Sequence, residues 1–167
     1  MRIKAACALV AVTLAATALG AGTAEATGPL SGTKVRNWQT GFVLGVAGNS
    51  TVGGAQILYQ TDTDDLAQKW AIDPVTSSTF MLRNLNSDMC VTAVTTQSAV
   101  FQQRPCDARW DEQIFSMEDS SKPNRYQLKN QGSGMCLNPA VASVNSTANG
   151  VACSATNPYQ THSFDVR

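Results

Sequence analysis

Val35-Arg36-Asn37-Trp38-Gln39-Thr40-Gly41 is echoed by Leu82-Arg83-Asn84-Leu85-Asn86-Ser87-Asp88 and again by Leu128-Lys129-Asn130-Gln131-Gly132-Ser133-Gly134. The shared template is an apolar residue, a basic residue, Asn, two variable positions, a hydroxyl residue and a turn former. Asn37, Asn84 and Asn130 recur at a period of about 46 residues, a spacing that marks a chain built from repeated supersecondary units.

Working outward from the phrase, each copy reads as four short strands. The first strands are expected at 33–37, 79–84 and 125–130, and the second at 42–46, 89–93 and 135–138. Third apolar pieces follow at 56–59, 99–102 and 150–153, and closing strands at 68–72, 113–117 and 162–166. No segment sustains a helical period, and low charge with many Thr, Val and Gln suits an all-β chain rich in turns. Pro74 to Ser78 and Ser120 to Pro123 read as links, giving repeats of about 33–78, 79–122 and 123–167. One copy cannot bury its apolar face alone. Three copies of four strands closed around a pseudo-threefold axis make a β-trefoil, with few exposed strand edges. In that frame Trp70, Phe115 and Phe164 are expected as equivalent core residues, as are Leu44, Val91 and Leu137.

Residues 1–26 are read as a leader rather than as part of the fold. Met1-Arg2-Ile3-Lys4 is basic, an apolar run follows to Leu19, and Ala24-Glu25-Ala26 is an A-x-A cleavage signature. The apolar run is short for a membrane span. The expected mature domain, 27–167, is therefore a secreted, extracellular protein, and the alanine-rich leader looks bacterial. Without Arg2, Lys4 and Glu25 the net charge is about −1. No basic stripe offers itself to phosphates, so no nucleic-acid partner is expected.

Cys7 leaves with the leader, and Cys90, Cys106, Cys136 and Cys153 remain. Four cysteines in an exported chain allow three pairings. Matching places in the second and third copies favour Cys90–Cys106 and Cys136–Cys153. No C-x-x-C pair occurs, so no metal site is expected.

With these features in place, the chain resembles the ricin-B-type (R-type) lectins, β-trefoils with one potential sugar pocket per lobe. The second and third copies carry that family's N-x-x-[ST]-x-x-C phrase as Asn84 to Cys90 and Asn130 to Cys136. Its closing Q-x-W stands as Gln68-Lys69-Trp70 in the first copy, and is matched with Gln113-Ile114-Phe115 in the second and His162-Ser163-Phe164 in the third. The resemblance implies a pocket of four parts: an Asp two residues after the first cysteine, an aromatic on the third strand, a neighbouring Gln or Asn, and an Asn-Gln pair opening the last strand. An ionised acceptor binds hydroxyls strongly, and an aromatic face meets the sugar's apolar face.

Carried onto this chain, the carbohydrate-binding candidates are Tyr59 and Gln68 in the first copy, Thr92, Gln102 and Gln113 in the second, and Asn138 and His162 in the third. The pockets are degenerate. Gly45, Thr92 and Asn138 stand where the Asp is expected, with Arg104 and Val151 near the aromatic position. The Gln residues also suit satisfaction of backbone groups within each lobe, and the repeated Asn residues suit turns.

His162 is the only histidine. As the expected counterpart of Gln68 it does not suggest a catalytic relay. Asp62-Thr63-Asp64-Asp65 lacks the Gly and terminal Glu of a calcium loop and reads as a solvated turn, as does Asp111-Glu112. Asn49-Ser50-Thr51 and Asn145-Ser146-Thr147 fit the glycosylation pattern, read here as polar loops. The expected function is non-enzymatic, cofactor-free glycan binding. The alternative is a protein-interaction subunit of a secreted toxin or hydrolase complex.

Overall fold

The computed structural model describes residues 30–94 and 99–166, so the expected leader lies outside the described residues. The first copy comprises β1 (Leu30–Asn37), β2 (Val43–Val46), β3 (Ile57–Gln60) and β4 (Trp70–Pro74). The second comprises β5 (Thr79–Asn84), β6 (Cys90–Ala93), β7 (Phe101–Arg104) and β8 (Phe115–Asp119). The third comprises β9 (Tyr126–Asn130), β10 (Cys136–Pro139), β11 (Ser146–Val151) and β12 (His162–Asp165). All pairings between these strands are antiparallel. A 3-10 turn precedes each closing strand, at Leu66–Gln68, Asp111–Gln113 and Pro158–Gln160.

Registers repeat from copy to copy. Second and third strands pair as Gly45↔Leu58, Thr92↔Gln102 and Asn138↔Asn149. Each closing strand then pairs with the opening strand of the next copy, as Trp70↔Asn84, Phe115↔Asn130 and His162↔Asn37. The last of these joins the end of the chain to its beginning. The fold is a β-trefoil with a closed ring of copies, as the period implied.

The repeated phrase forms the same turn three times. Gly41, Asp88 and Gly134 all adopt positive φ, at 73, 60 and 68°. That is the left-handed region that glycine enters without penalty and that Asp tolerates. Their N–H groups donate to the carbonyls of Asn37, Asn84 and Asn130. Each Asn Oδ1 accepts from the backbone of its own turn: Thr40 at 3.0 Å, Ser87 at 3.3 Å and Ser133 at 3.0 Å. Each Nδ2 donates across the seam, to the carbonyl of Tyr159 (2.6 Å), Ala67 (2.9 Å) or Glu112 (2.8 Å). The asparagines are thus more than turn formers, because they fasten each copy to the 3-10 turn of the copy before it.

Leu44, Val91 and Leu137 are fully buried at equivalent places, as are Trp70 and Phe115. The third copy differs from the sequence expectation. His162, opposite Asn37, is the counterpart of Trp70 and Phe115, and Phe164 lies two residues further out, only partly buried against the core. The Q-x-W counterpart is therefore Gln160-Thr161-His162. The third strands also shift: β7 and β11 run 101–104 and 146–151 rather than 99–102 and 150–153.

Both expected disulfides are formed, Cys90–Cys106 and Cys136–Cys153, with sequence separations of 16 and 17 residues. On the chain-entropy account each contributes about 3 kcal/mol. Each bridges the start of a second strand to the residues just after a third strand.

The Asp62–Asp65 segment is not simply a solvated turn. Asp62 takes ion pairs from buried Lys34 (2.5 Å) and from Arg36 (2.8 Å), and Asp64 takes them from Lys34 (2.8 Å) and Lys69 (3.3 Å). Arg36 also reaches Asp165 of the third copy at 2.7 Å. Partial burial acts to raise the Asp62 pKa, but the bonds from Lys34 and Arg36 outweigh it and hold the carboxyl well below the usual range.

Candidate functional site

Threefold geometry places one depression beside each 3-10 turn, and their linings can be compared position by position. In the second copy a depression of about 410 Å³ is lined by Thr92, Ala93, Val94, Arg104, Trp110 and Glu112. In the third, about 220 Å³ lies against Asn138, Pro139, Asn157 and Tyr159, among others. In the first, about 270 Å³ lies against Gln60, Asp65 and Gln68, with Val144 and Asn145 of the third copy.

Gln68, on the wall of its depression, and Gln113 and Gln160, behind theirs, perform one repeated task. Their Oε1 atoms accept from the backbone N–H of Thr63 (2.9 Å), Asp107 (2.7 Å) and Ser154 (2.7 Å). Their Nε2 atoms donate to the carbonyls of Thr61 (2.8 Å), Pro105 (2.8 Å) and Ala152 (2.7 Å). All three are buried. Each satisfies the polar backbone of the loop before the closing strand, where an unpaired group would be costly. Gln113 also donates to the Thr92 hydroxyl at 3.0 Å, and Thr92 donates to the Cys90 carbonyl at 3.0 Å. Thr92 therefore presents a small wall to the depression and keeps its hydroxyl for internal bonds. Gln102 pairs opposite Thr92 on β7 but does not line the depression.

Two candidates lie in the interior. Tyr59 is fully buried and stacks on His162, with ring centroids 5.9 Å apart. Its hydroxyl lies 2.7 Å from His162 Nε2. Register shows why it is no platform. Tyr59, opposite Leu44, is the counterpart of Gln103 and Gly150, so the residue matching Arg104 and Val151 is Gln60. His162 is fully buried, and burial lowers its pKa to about 4. It belongs to the core and to the seam between the third and first copies, remote from a sugar-facing role.

At the position of the expected Asp, the three lobes diverge. A Cβ on Gly45 would collide with Gln60 Oε1 and lie 3.0 Å from Gln68 Cγ, so the first lobe has no room for a side chain there unless Gln60 moves. Asn138 lines the third depression. Its Nδ2 donates to the Pro139 carbonyl at 2.6 Å, and its buried Oδ1 has no partner within the described residues.

The residues that sequence reasoning passed over stand on the 3-10 turns. Glu112 and Tyr159 directly precede Gln113 and Gln160, the place of the Asn in the expected Asn-Gln pair, and this was the available signal. Trp110 begins the turn and is 45% exposed. Nothing in the repeat pointed to it, because its counterparts are Asp65 and Asn157.

A family model described as ricin-type beta-trefoil lectin domain-like matches residues 23–104, spanning the first copy and most of the second. The registers above extend the same architecture through the third. Over residues 23–104 the chain matches this lectin-like family. Its fold is similar to that of the designed threefold-symmetric protein ThreeFoil, at TM-score 0.73 and 21% identity, covering 81% of this chain and 97% of that one. It is also similar to an exo-beta-1,3-galactanase from Clostridium thermocellum (TM-score 0.75, 18% identity, covering 82% of this chain and 30% of that one). The hemolytic lectin CEL-III gives TM-score 0.66 at 19% identity, covering 81% of this chain and 30% of that one. The two latter proteins are much longer, and identities this low speak for the fold alone. No curated protein sequence matches the chain.

Among the described residues of this lectin-like chain, no helix is long and apolar enough to cross a membrane. No group of His, Cys, Asp and Glu among them is placed to hold a metal ion. The second-lobe wall is held from behind by the third copy. Asn130 bonds the Glu112 carbonyl, and Gly132 lies so close that a Cβ would be 2.7 Å from Glu112 N and 2.9 Å from Asp111 C. Gly132→Ala is therefore expected to shift this turn and to destabilise the protein by about 1–3 kcal/mol. Urea unfolding measures the loss, and an unchanged midpoint would show that the turn yields freely.

Proposed function

We propose that the protein is a secreted carbohydrate-binding module, without catalytic activity of its own, whose principal site is the second-lobe depression. The observation that carries this reading is the exposed indole of Trp110 beside Glu112 and Arg104, at the lobe position where the family resemblance expects a sugar. The three parts have complementary chemistry for a pyranose. The indole offers a flat apolar face. The Glu112 carboxylate accepts from hydroxyls, and Arg104 donates. The Cys90–Cys106 bridge and the Gln113 clamp fix the walls in advance, which lowers the ordering cost of binding.

The third-lobe depression, with Asn138, Asn157 and Tyr159, is the second site of this reading. The first lobe is the weakest, because Gln60 fills the space beside Gly45.

Calorimetric titration with a panel of neutral and acidic oligosaccharides tests the proposal. Saturable binding is expected at or below millimolar sugar, on the order of −4 kcal/mol or better. Trp110→Ala is expected to weaken it about tenfold. Absence of binding across the panel, with the fold intact, would overturn the reading. Capture of a defined secreted protein instead would favour the interaction-subunit alternative.

A further inference from the structure

Arg104 is set apart from the other described arginines by its lack of a strong partner. Arg36 is spent on Asp62 and Asp165, and Arg83 on Asp73 and Asp88. Arg109 pairs with Asp107, and Arg125 lies 4.5 Å over the Trp38 ring. Arg104 makes no ion pair among the described residues, only a long 3.4 Å contact from Nη2 to Gln102 Oε1. It is exposed and lines the second-lobe depression. Its backbone is nevertheless well anchored, because it pairs with Cys90 at the end of β7 and lies two residues before Cys106 of the disulfide.

We propose that the second-lobe site is selective for an anionic saccharide, whose oxyanion is held by Arg104 while its ring lies on Trp110. This rests on the carbohydrate-binding reading above and names the class of sugar. A guanidinium fork gives an oxyanion two parallel charge-assisted bonds. A neutral sugar covering the same wall would strip water from the cation and return only hydroxyl contacts, so the oxyanion is favoured. Glu112 sets the polarity of the site. As an acceptor it suits hydroxyl groups and repels a second negative charge, so the expected ligand carries its oxyanion on one edge and hydroxyls on the other. The lobe counterparts Gln60 and Val151 lack a cation, which confines the preference to this lobe.

Carboxylated sugars and sulfated sugars share the recognised chemistry, and the test separates them. The full chain is titrated with a uronic-acid oligosaccharide, a sialylated lactose and a sulfated galactoside, each beside its neutral counterpart, at low and high salt. At least one anionic sugar is expected to bind about tenfold more tightly than its counterpart, with the advantage shrinking in salt. Arg104→Gln is expected to bring that ratio close to one, and Arg104→Lys to keep part of it, with melting temperatures checked in parallel. Equal or tighter binding of the neutral sugars, or a ratio that survives Arg104→Gln, overturns this inference and leaves carbohydrate binding standing. Failure of every sugar overturns both.

Discussion

Trp70→Ala is expected to cost about 3–5 kcal/mol of unfolding free energy, a large share of the stability of a domain this size. The indole is fully buried among the residues that close the core. Its Nε1 donates to the Leu44 carbonyl at 3.0 Å, so truncation opens a cavity and also leaves a buried carbonyl without its donor. Trp70→Phe is a graded comparison, because Phe115 already fills the equivalent place in the second copy. It should lose the hydrogen bond and a smaller volume, at about 1–2 kcal/mol. Urea unfolding followed by circular dichroism checks both. A Trp70→Ala loss below about 1 kcal/mol would mean that the three copies do not share one core.

The second large effect is a loss of stability on mild acidification. His162 is neutral in the folded chain, with burial lowering its pKa from 6.5 to about 4, and unfolding releases it to charge at the higher value. The unfolded state therefore binds more protons. The His162 contribution is complete above about pH 6.5 and is lost as pH falls toward 4. From pH 7 to pH 5 the wild-type chain should lose about 2 kcal/mol. Asp62 acts in the same direction in a lower window. Its folded-state pKa is depressed, so its contribution is lost only when pH falls below the ordinary carboxylate range. Replacing His162 alone would orphan the buried Tyr59 hydroxyl, so the informative variant is Tyr59→Phe with His162→Phe. That pair should keep its stability between pH 7 and 5 and still weaken at lower pH. If it fades between pH 7 and 5 as much as the wild type, the sensitivity has another source.

The architecture was legible because its signal is local and repeated. A positive-φ turn closed by an Asn side chain tolerates few alternatives, so the phrase survives in all three copies. The third copy was harder to register. Its core position holds His162 in place of a large apolar residue, and Phe164 two residues later attracts the alignment. The true marker, Gln160, hides after Pro158 in a short 3-10 turn. Tyr59 misled for a related reason. A one-residue shift along a strand exchanges the buried face for the exposed one, and loop lengths between copies leave that shift open in sequence. Trp110 could not be found through the repeat because it has no aromatic counterpart. Its exposure beside Arg104 and Glu112 depends on tertiary closure of the second lobe.

One seam of the ring differs from the other two. Links 75–78 and 120–125 connect the second copy covalently to its neighbours, whereas the third and first copies meet through β12 and β1 without a peptide link. That ladder begins at Lys34↔Asp165 and ends at Asn37↔His162, so both strands leave it at the same end. Once Leu30 and Thr33 part from Ile72 and Trp70 of β4, tension applied through the two ends of the domain is expected to load the ladder as a zipper, one pair at a time from Lys34↔Asp165, and not in shear across all its bonds together. Such a seam is expected to open under a pull between the two ends of the domain at a lower force than a ladder loaded in shear.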